Sequence, residues 1–101
     1  MTDERWLDLV EAAEGGHVTQ GTMFGSKGLR TGTKFFAIWW HEQLVVKLPP
    51  ARLTELVEAG DGQPFEPMEG RRMNGWLVVA PAADWDELVG EARTHVEAQQ
   101  R

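Results

Sequence analysis

The sequence predicts an α+β domain of two layers: a mostly antiparallel sheet with helices at the N-terminus, in the middle and at the C-terminus. Three observations carry that expectation. Apolar residues recur at helical spacing in three separate segments. Residues 18–48 are instead rich in Val, Thr, Phe, Ile and Trp, cut by glycines into short runs. The turns between those runs are too short for the crossovers that parallel strands need. At 101 residues, the chain is expected to form a single domain spanning residues 1–101, in the order helix, three or four strands, helix, strand, helix.

From Asp3, the spacing of Trp6, Leu9, Val10 and Ala13 gives a helix one buried stripe, and Gly15 with Gly16 ends it. A strand is expected over residues 18–24, then a turn at Gly25, Ser26, Lys27 and Gly28, and a short extended stretch at residues 29–31. Gly32 turns the chain into a strand at residues 34–40, and a His41-Glu42 turn leads to a strand at residues 43–48. Pro49 and Pro50 open the second helix, where the missing amide is not needed; Leu53, Leu56 and Val57 form its buried stripe, and Gly60 closes it. Residues 61–70 have turn composition and no period, which predicts a loop pinned by Phe65. The last strand is expected over residues 71–80. Pro81 breaks it, and Asp84 with Glu87 caps a third helix whose buried face is Trp85, Leu88, Val89, Ala92 and Val96.

Strand phase adds an expectation about layers. Strict alternation puts Phe36, Ile38 and Trp40 on one side of their strand and Phe35, Ala37 and Trp39 on the other, so both faces are apolar. Leu44, Val46 and Leu48 oppose Val45 and Lys47, and Leu77 with Val79 opposes Trp76 with Val78. Helices cover one face. The N-terminal helix, the Phe65 loop or another chain, including a second copy, must cover the other.

Composition excludes several kinds of chemistry. Ten Lys and Arg against sixteen Asp and Glu give a net charge of -6, which opposes non-specific binding to nucleic acid or anionic membrane. With no cysteine there is no disulfide, thiolate metal site or thiol nucleophile, consistent with a cytoplasmic location. No apolar run reaches the ~20 residues of a membrane span, and the MTDERW start is acidic where a leader would be basic. Residues 21–28 fail as a phosphate loop, because Ser26 precedes the lysine, Gly28 follows it and no helix comes next. Ser26 misses a nucleophile elbow, and His41-Glu42 lacks the second histidine of a zinc helix, where Val45 stands. His17, His41 and His95 fall in three different elements, and the carboxylates lie on helix exteriors. No catalytic residue, metal site or cofactor is therefore expected.

Charge is unevenly placed. Residues 1–16 carry -4, whereas residues 17–50 carry +3 through Lys27, Arg30, Lys34 and Lys47 against Glu42. Arg71 and Arg72 add two positives. The candidate contact residues for a partner or nucleic acid are Lys27, Lys34, Trp39, Lys47, Arg71, Arg72 and Trp76. The alternative is that these cations only guard exposed strand edges and turns.

Met23-Phe24-Gly25, Gly28-Leu29, Gly32, Lys34-Phe35-Phe36-Ala37 and Leu44-Val45-Val46-Lys47-Leu48-Pro49 form an ordered series. It continues through Ala59-Gly60, Pro64-Phe65-Glu66-Pro67 and Gly70-Arg71-Arg72-Met73 to Trp76. Together these resemble the N-terminal domain of the TfoX/Sxy family and the related MmcQ/YjbR-like proteins, over roughly residues 4–98. The resemblance implies a YjbR-like, secretion-chaperone-like two-layer fold and carries over no catalytic residue. It also implies a tie to regulation, since full-length relatives are associated with natural competence and YjbR-like members with DNA binding. A chain ending at Arg101 is expected to lack the competence regulators' C-terminal domain. Lys47, Arg71 and Arg72 are the matched positions left for function. The expected function is that of a non-catalytic cytoplasmic regulatory or interaction domain binding an unknown protein partner or forming a homodimer, with no membrane contact. The alternative is a DNA- or RNA-binding regulator using its basic hairpin side, with weak, salt-sensitive binding.

Overall fold

A computed structural model describes residues 3–13, 18–23 and 25–99; Gly15 and Gly16, expected to stop the first helix, lie outside them, as do His17 and Phe24. In order, the elements are α1 (Asp3–Ala13), β1 (Val18–Met23), β2 (Ser26–Thr31), β3 (Lys34–Trp40) and β4 (Gln43–Lys47). Then come α2 (Pro50–Ala59), β5 (Gly62–Pro64), β6 (Trp76–Val79) and α3 (Trp85–Gln99). The strands form one antiparallel sheet in the order β1-β2-β3-β4-β6-β5. The protein is therefore an α+β domain with helices at the N-terminus, in the middle and at the C-terminus.

The sheet is larger than the sequence suggests. Residues 61–70 contain β5, which pairs with β6 from Gly62↔Val79 to Pro64↔Leu77. A proline is tolerated there because β5 is an edge. The last strand is shorter than residues 71–80: residues 71–75 form a loop that turns at Gly75 (φ 88°) before β6 begins. Ser26, Lys27 and Gly28 belong to β2, and the preceding turn tightens around Gly25 (φ 76°).

One face of the sheet carries the helices. Leu29, Ala37, Trp39, Leu44, Val46, Leu77 and Val79 meet Trp6, Leu9 and Val10 of α1 and Trp85, Leu88, Val89, Ala92 and Val96 of α3. Phe36 joins this face beside its neighbour Ala37, against strict alternation. The register gives the reason: Leu29 pairs with Ala37 but Arg30 pairs with Phe35, so Phe36 is an extra residue in a bulge. The bulge turns Phe36 toward the helices and so puts Phe35, expected on the side of Ala37 and Trp39, on the opposite side with Ile38.

That opposite face is apolar too, with Ile38, Val45 and Trp76. The loop following β5, one of the three covers the sequence allows, lies over it. Phe65 is 1% exposed and packs with Ile38, Val45 and Trp76, its ring edge-on to Trp40 at 5.7 Å. The Phe65 amide donates to the Trp76 carbonyl (3.2 Å), and the Met73 amide donates to the Phe65 carbonyl (2.9 Å), so the loop is bonded at both ends. The helix α1 instead lies on the other face, with Trp6 stacked on Trp39.

The helix ends follow their local chemistry. In α2, Pro50 starts the helix, and Gly60 (φ 82°) ends it while the amides of Gly60 and Asp61 donate to Val57 and Leu56 carbonyls. The helix α3 is capped by Asp84, whose carboxylate accepts the Glu87 amide at 3.1 Å.

The turn joining β3 to β4 is built against residue preference. His41 and Glu42 both take left-handed φ (49° and 64°), a region costly for side chains with a Cβ. Replacing the pair with Asn-Gly should raise unfolding free energy by about 1 kcal/mol in a urea titration. Loss of the His41 ring's contact with Trp40, 4.5 Å between centroids, offsets part of the gain.

Candidate functional site

The sheet order decides which of the expected contact residues meet. The strand β4 leaves the sheet at Lys47, directly paired with Trp76, where β6 enters. Lys34 starts β3 at this same end, beyond the Ala37↔Val46 pair. Lys27 pairs with Thr22 beside the β1–β2 turn, at the opposite end of the sheet. Trp39 lies in the helix-packed core, 7% exposed, between Trp6 and Trp85. It presents no ring face on which a base could stack. The seven residues therefore do not form one surface, but Lys47 and Arg72 each come near Trp76.

Arg72 and Trp76 line a groove of about 580 Å³ between α2 and the chain leading into β6, and the Lys47 side chain lies just outside it, against Gly75 and Trp76. Its walls are Pro50, Leu53, Thr54, Val57 and Glu58 on one side and Arg72, Met73, Asn74 and Gly75 on the other, with Pro64, Trp76 and Leu77 between them. Val57, expected in the buried stripe of its helix, is 39% exposed because it faces this groove rather than the sheet. Trp76 is 5% exposed, so it offers an edge and not a stacking platform. Arg71 is exposed, its amide donating to the Met68 carbonyl at 2.8 Å.

The cations are held loosely. The Lys47 ammonium lies 5.8 Å from the Trp76 ring centroid, within cation–π range. An Arg72 guanidinium nitrogen is 3.9 Å from a Glu66 carboxylate oxygen, both side chains being largely exposed. Such an exposed pair contributes little to stability and leaves Arg72 available to a competing anion.

The opposite wall is held more firmly. Arg52 of α2 donates to both Glu91 carboxylate oxygens of α3 at 2.9 and 3.1 Å and to Glu55 at 3.2 Å. These bonds, Glu91 first, hold the guanidinium pKa above its ordinary range. The arrangement ties α2 to α3 and so sets the position of the groove wall. Under the same clamp, His95 lines a shallow hollow with Pro49, Arg52 and Thr94. Burial, and then the Lys47 charge, pushes its pKa below the ordinary 6.5. The folded state therefore favours neutral His95. This contribution to stability is complete above the ordinary value and is lost as pH falls through the lowered one. Urea midpoints should drop over that window in the native protein, and His95→Gln should flatten that part of the profile.

Sequence reasoning missed the groove walls on α2, because a helical stripe does not reveal which of its members lies beyond the sheet's edge. The run Arg71-Arg72-Met73 was the available signal, an apolar side chain directly beside two cations. Among the described residues, no group of three or more His, Asp or Glu side chains is placed to hold a metal ion. No helix among them is long and apolar enough to cross a membrane.

Fold and site together define a small α+β domain with an open antiparallel sheet and an apolar groove rimmed by cations at one end. The TfoX N-terminal domain family matches residues 9–96, and the chain belongs to that family. Membership suggests a regulatory or interaction role. Searches of curated proteins and of solved structures find no match.

Proposed function

We propose that the protein is a non-catalytic cytoplasmic regulatory domain that binds a partner protein in the groove between α2 and β6. The observation that carries this reading is Val57. An aliphatic side chain 39% exposed on a helix, lining the same groove as Met73 and Leu77, gives an apolar slot for a partner's side chains. Lys47 and Arg72 at its rim favour a partner segment that carries a carboxylate beside its apolar residues. The nucleic-acid reading draws less support. Lys27 is at the far end of the sheet from Lys34 and Lys47, and the net charge of -6 opposes the few cations that remain.

The test is affinity capture from host lysate by the native protein and by Val57→Glu, each with and without nuclease. The same captured protein is expected with or without nuclease, and at least roughly tenfold less of it with Val57→Glu, because the new carboxylate fills an apolar slot and repels an acidic partner. Capture that disappears with nuclease, or that Val57→Glu leaves intact, would count against the reading.

A further inference from the structure

Among the described residues, three large apolar side chains are exposed: Leu7, Val57 and Met68. Val57 lines the groove. Leu7, 54% exposed, projects from the outer side of α1, whose inner side of Trp6, Leu9 and Val10 is buried. Glu4 precedes Leu7 by three residues and Glu11 follows it by four, the spacings at which helix side chains are neighbours. Both are exposed, as is Asp8. Arg5 is the one cation of this helix, and it is turned elsewhere, donating to the Pro81 carbonyl at 2.7 Å and lying over the Trp85 ring. The outer side of α1 therefore presents a leucine among carboxylates, with no cation beside it.

The groove offers the complementary chemistry. Leu53, Val57 and Met73 line it with apolar surface, Arg72 lines it as a cation, and the Lys47 side chain lies beside it against Gly75 and Trp76. Glu58 is the one carboxylate in its walls, next to Val57 on α2. Glu66, 3.9 Å from Arg72, forms an exposed pair that an incoming carboxylate can replace at little cost. Two chains of net charge -6 repel as wholes. A contact of unlike surfaces, an acidic helix against the cationic end of a groove, opposes that repulsion locally. Two copies of either surface alone would add to it.

We propose that in the isolated protein the groove is occupied by α1 of a second copy, with its Leu7 set against Val57 and its Glu4 and Glu11 toward Lys47 and Arg72. The inference rests on the groove reading above and adds a competitor to it, since a partner protein must displace the second copy's helix. Because the two surfaces differ, each contact joins one groove to one helix, head to tail. One leucine and a few charges make a small contact, of roughly micromolar to submillimolar strength.

Two variants that each keep one of the surfaces test it. Leu7→Lys leaves the groove intact and suits the helix, because the lysine falls at pairing distance from Glu4 and Glu11. Val57→Glu leaves α1 intact. In sedimentation across micromolar to submillimolar concentration, the native protein is expected to exceed the mass of one chain. Each variant alone should associate at least roughly tenfold more weakly, with an unchanged circular dichroism spectrum. Mixing the variants should restore one contact. Unlabelled Val57→Glu added to 15N-labelled Leu7→Lys should shift the Trp76 indole signal, and with the labels exchanged the shifts should fall on α1 amides instead. A native protein that stays at the mass of one chain, a variant that associates as the native chain does, or a mixture that leaves Trp76 unmoved overturns the inference. Those results leave the groove reading standing wherever lysate capture still depends on Val57, whereas capture indifferent to Val57→Glu removes that reading by itself.

Discussion

Trp39→Ala is expected to lower the free energy of unfolding by about 3–5 kcal/mol, a large share of what a domain of this size possesses. Trp39 is the side chain through which α1, β3 and α3 meet. Its ring stacks on Trp6 at 5.8 Å with 17° between planes, and meets Trp85 at 5.9 Å and 62°. Trp85 is fixed in turn, since its indole donates to the Ala80 carbonyl at 2.9 Å and the Arg5 guanidinium lies 3.6 Å above its ring. Arg5 also donates to the Pro81 carbonyl at 2.7 Å, which ties α1 to the turn before α3. Removing the central ring leaves a cavity that neither helix can fill without giving up these bonds. Urea unfolding of Trp39→Ala, with Trp39→Phe as the milder replacement, measures the loss. The double variant with Trp6→Ala should cost less than the two single changes added, because each removes the same stack.

Phe65→Ala is expected to cost a similar amount, about 3–5 kcal/mol, but with a different consequence. Phe65 covers Ile38, Val45 and Trp76, so its loss exposes the second sheet face instead of hollowing out the helix-packed core. The variant should bind the dye ANS before its unfolding transition, and Trp40, which loses the edge-on Phe65 ring, should become more accessible to quencher. A variant as stable as the native chain would mean that the loop's backbone bonds, not the ring, hold the cover.

These two rings also show how far the sequence could be read. Trp39 and Trp40 are adjacent in an extended run, so their opposite orientations follow from pleating alone, as does the existence of a second apolar face. Phe65 was recognisable as the loop's anchor because it is the one large aromatic within a proline- and glycine-rich stretch. The bulge at Phe36 was not readable, since nothing in Lys34-Phe35-Phe36-Ala37 distinguishes an extra residue from a regular pleat; the distinction lies in the pairing with β2. The strand β5 was hidden for a related reason. Gly62-Gln63-Pro64 has no alternation or strand propensity of its own and is extended because β6 offers it a ladder.

The candidate site divides along the same line. Lys47, Arg72 and Trp76 could be singled out by residue type, but their meeting depends on β6 lying beside β4, a non-local pairing. Trp39 looked suited to stacking because it lies in the segment that carries the excess of lysine and arginine. The packing of α1 and α3 puts it inside. Val57 looked buried because its spacing fits a helical stripe, yet α2 covers a corner of the sheet where that stripe continues past the edge.

The five tryptophans offer the most direct measurement of the central claim, that a partner protein binds in the groove. Trp6, Trp39 and Trp85 report on the helix-packed core, Trp40 on the Phe65 cover, and Trp76 on the groove. Titrating the captured partner into 15N-labelled protein and following the indole resonances separates these regions in one spectrum. The account predicts that the Trp76 signal shifts or broadens with saturation while those of Trp6, Trp39 and Trp85 stay in place. A bound partner that leaves Trp76 unmoved, or that perturbs only the core tryptophans, would contradict it.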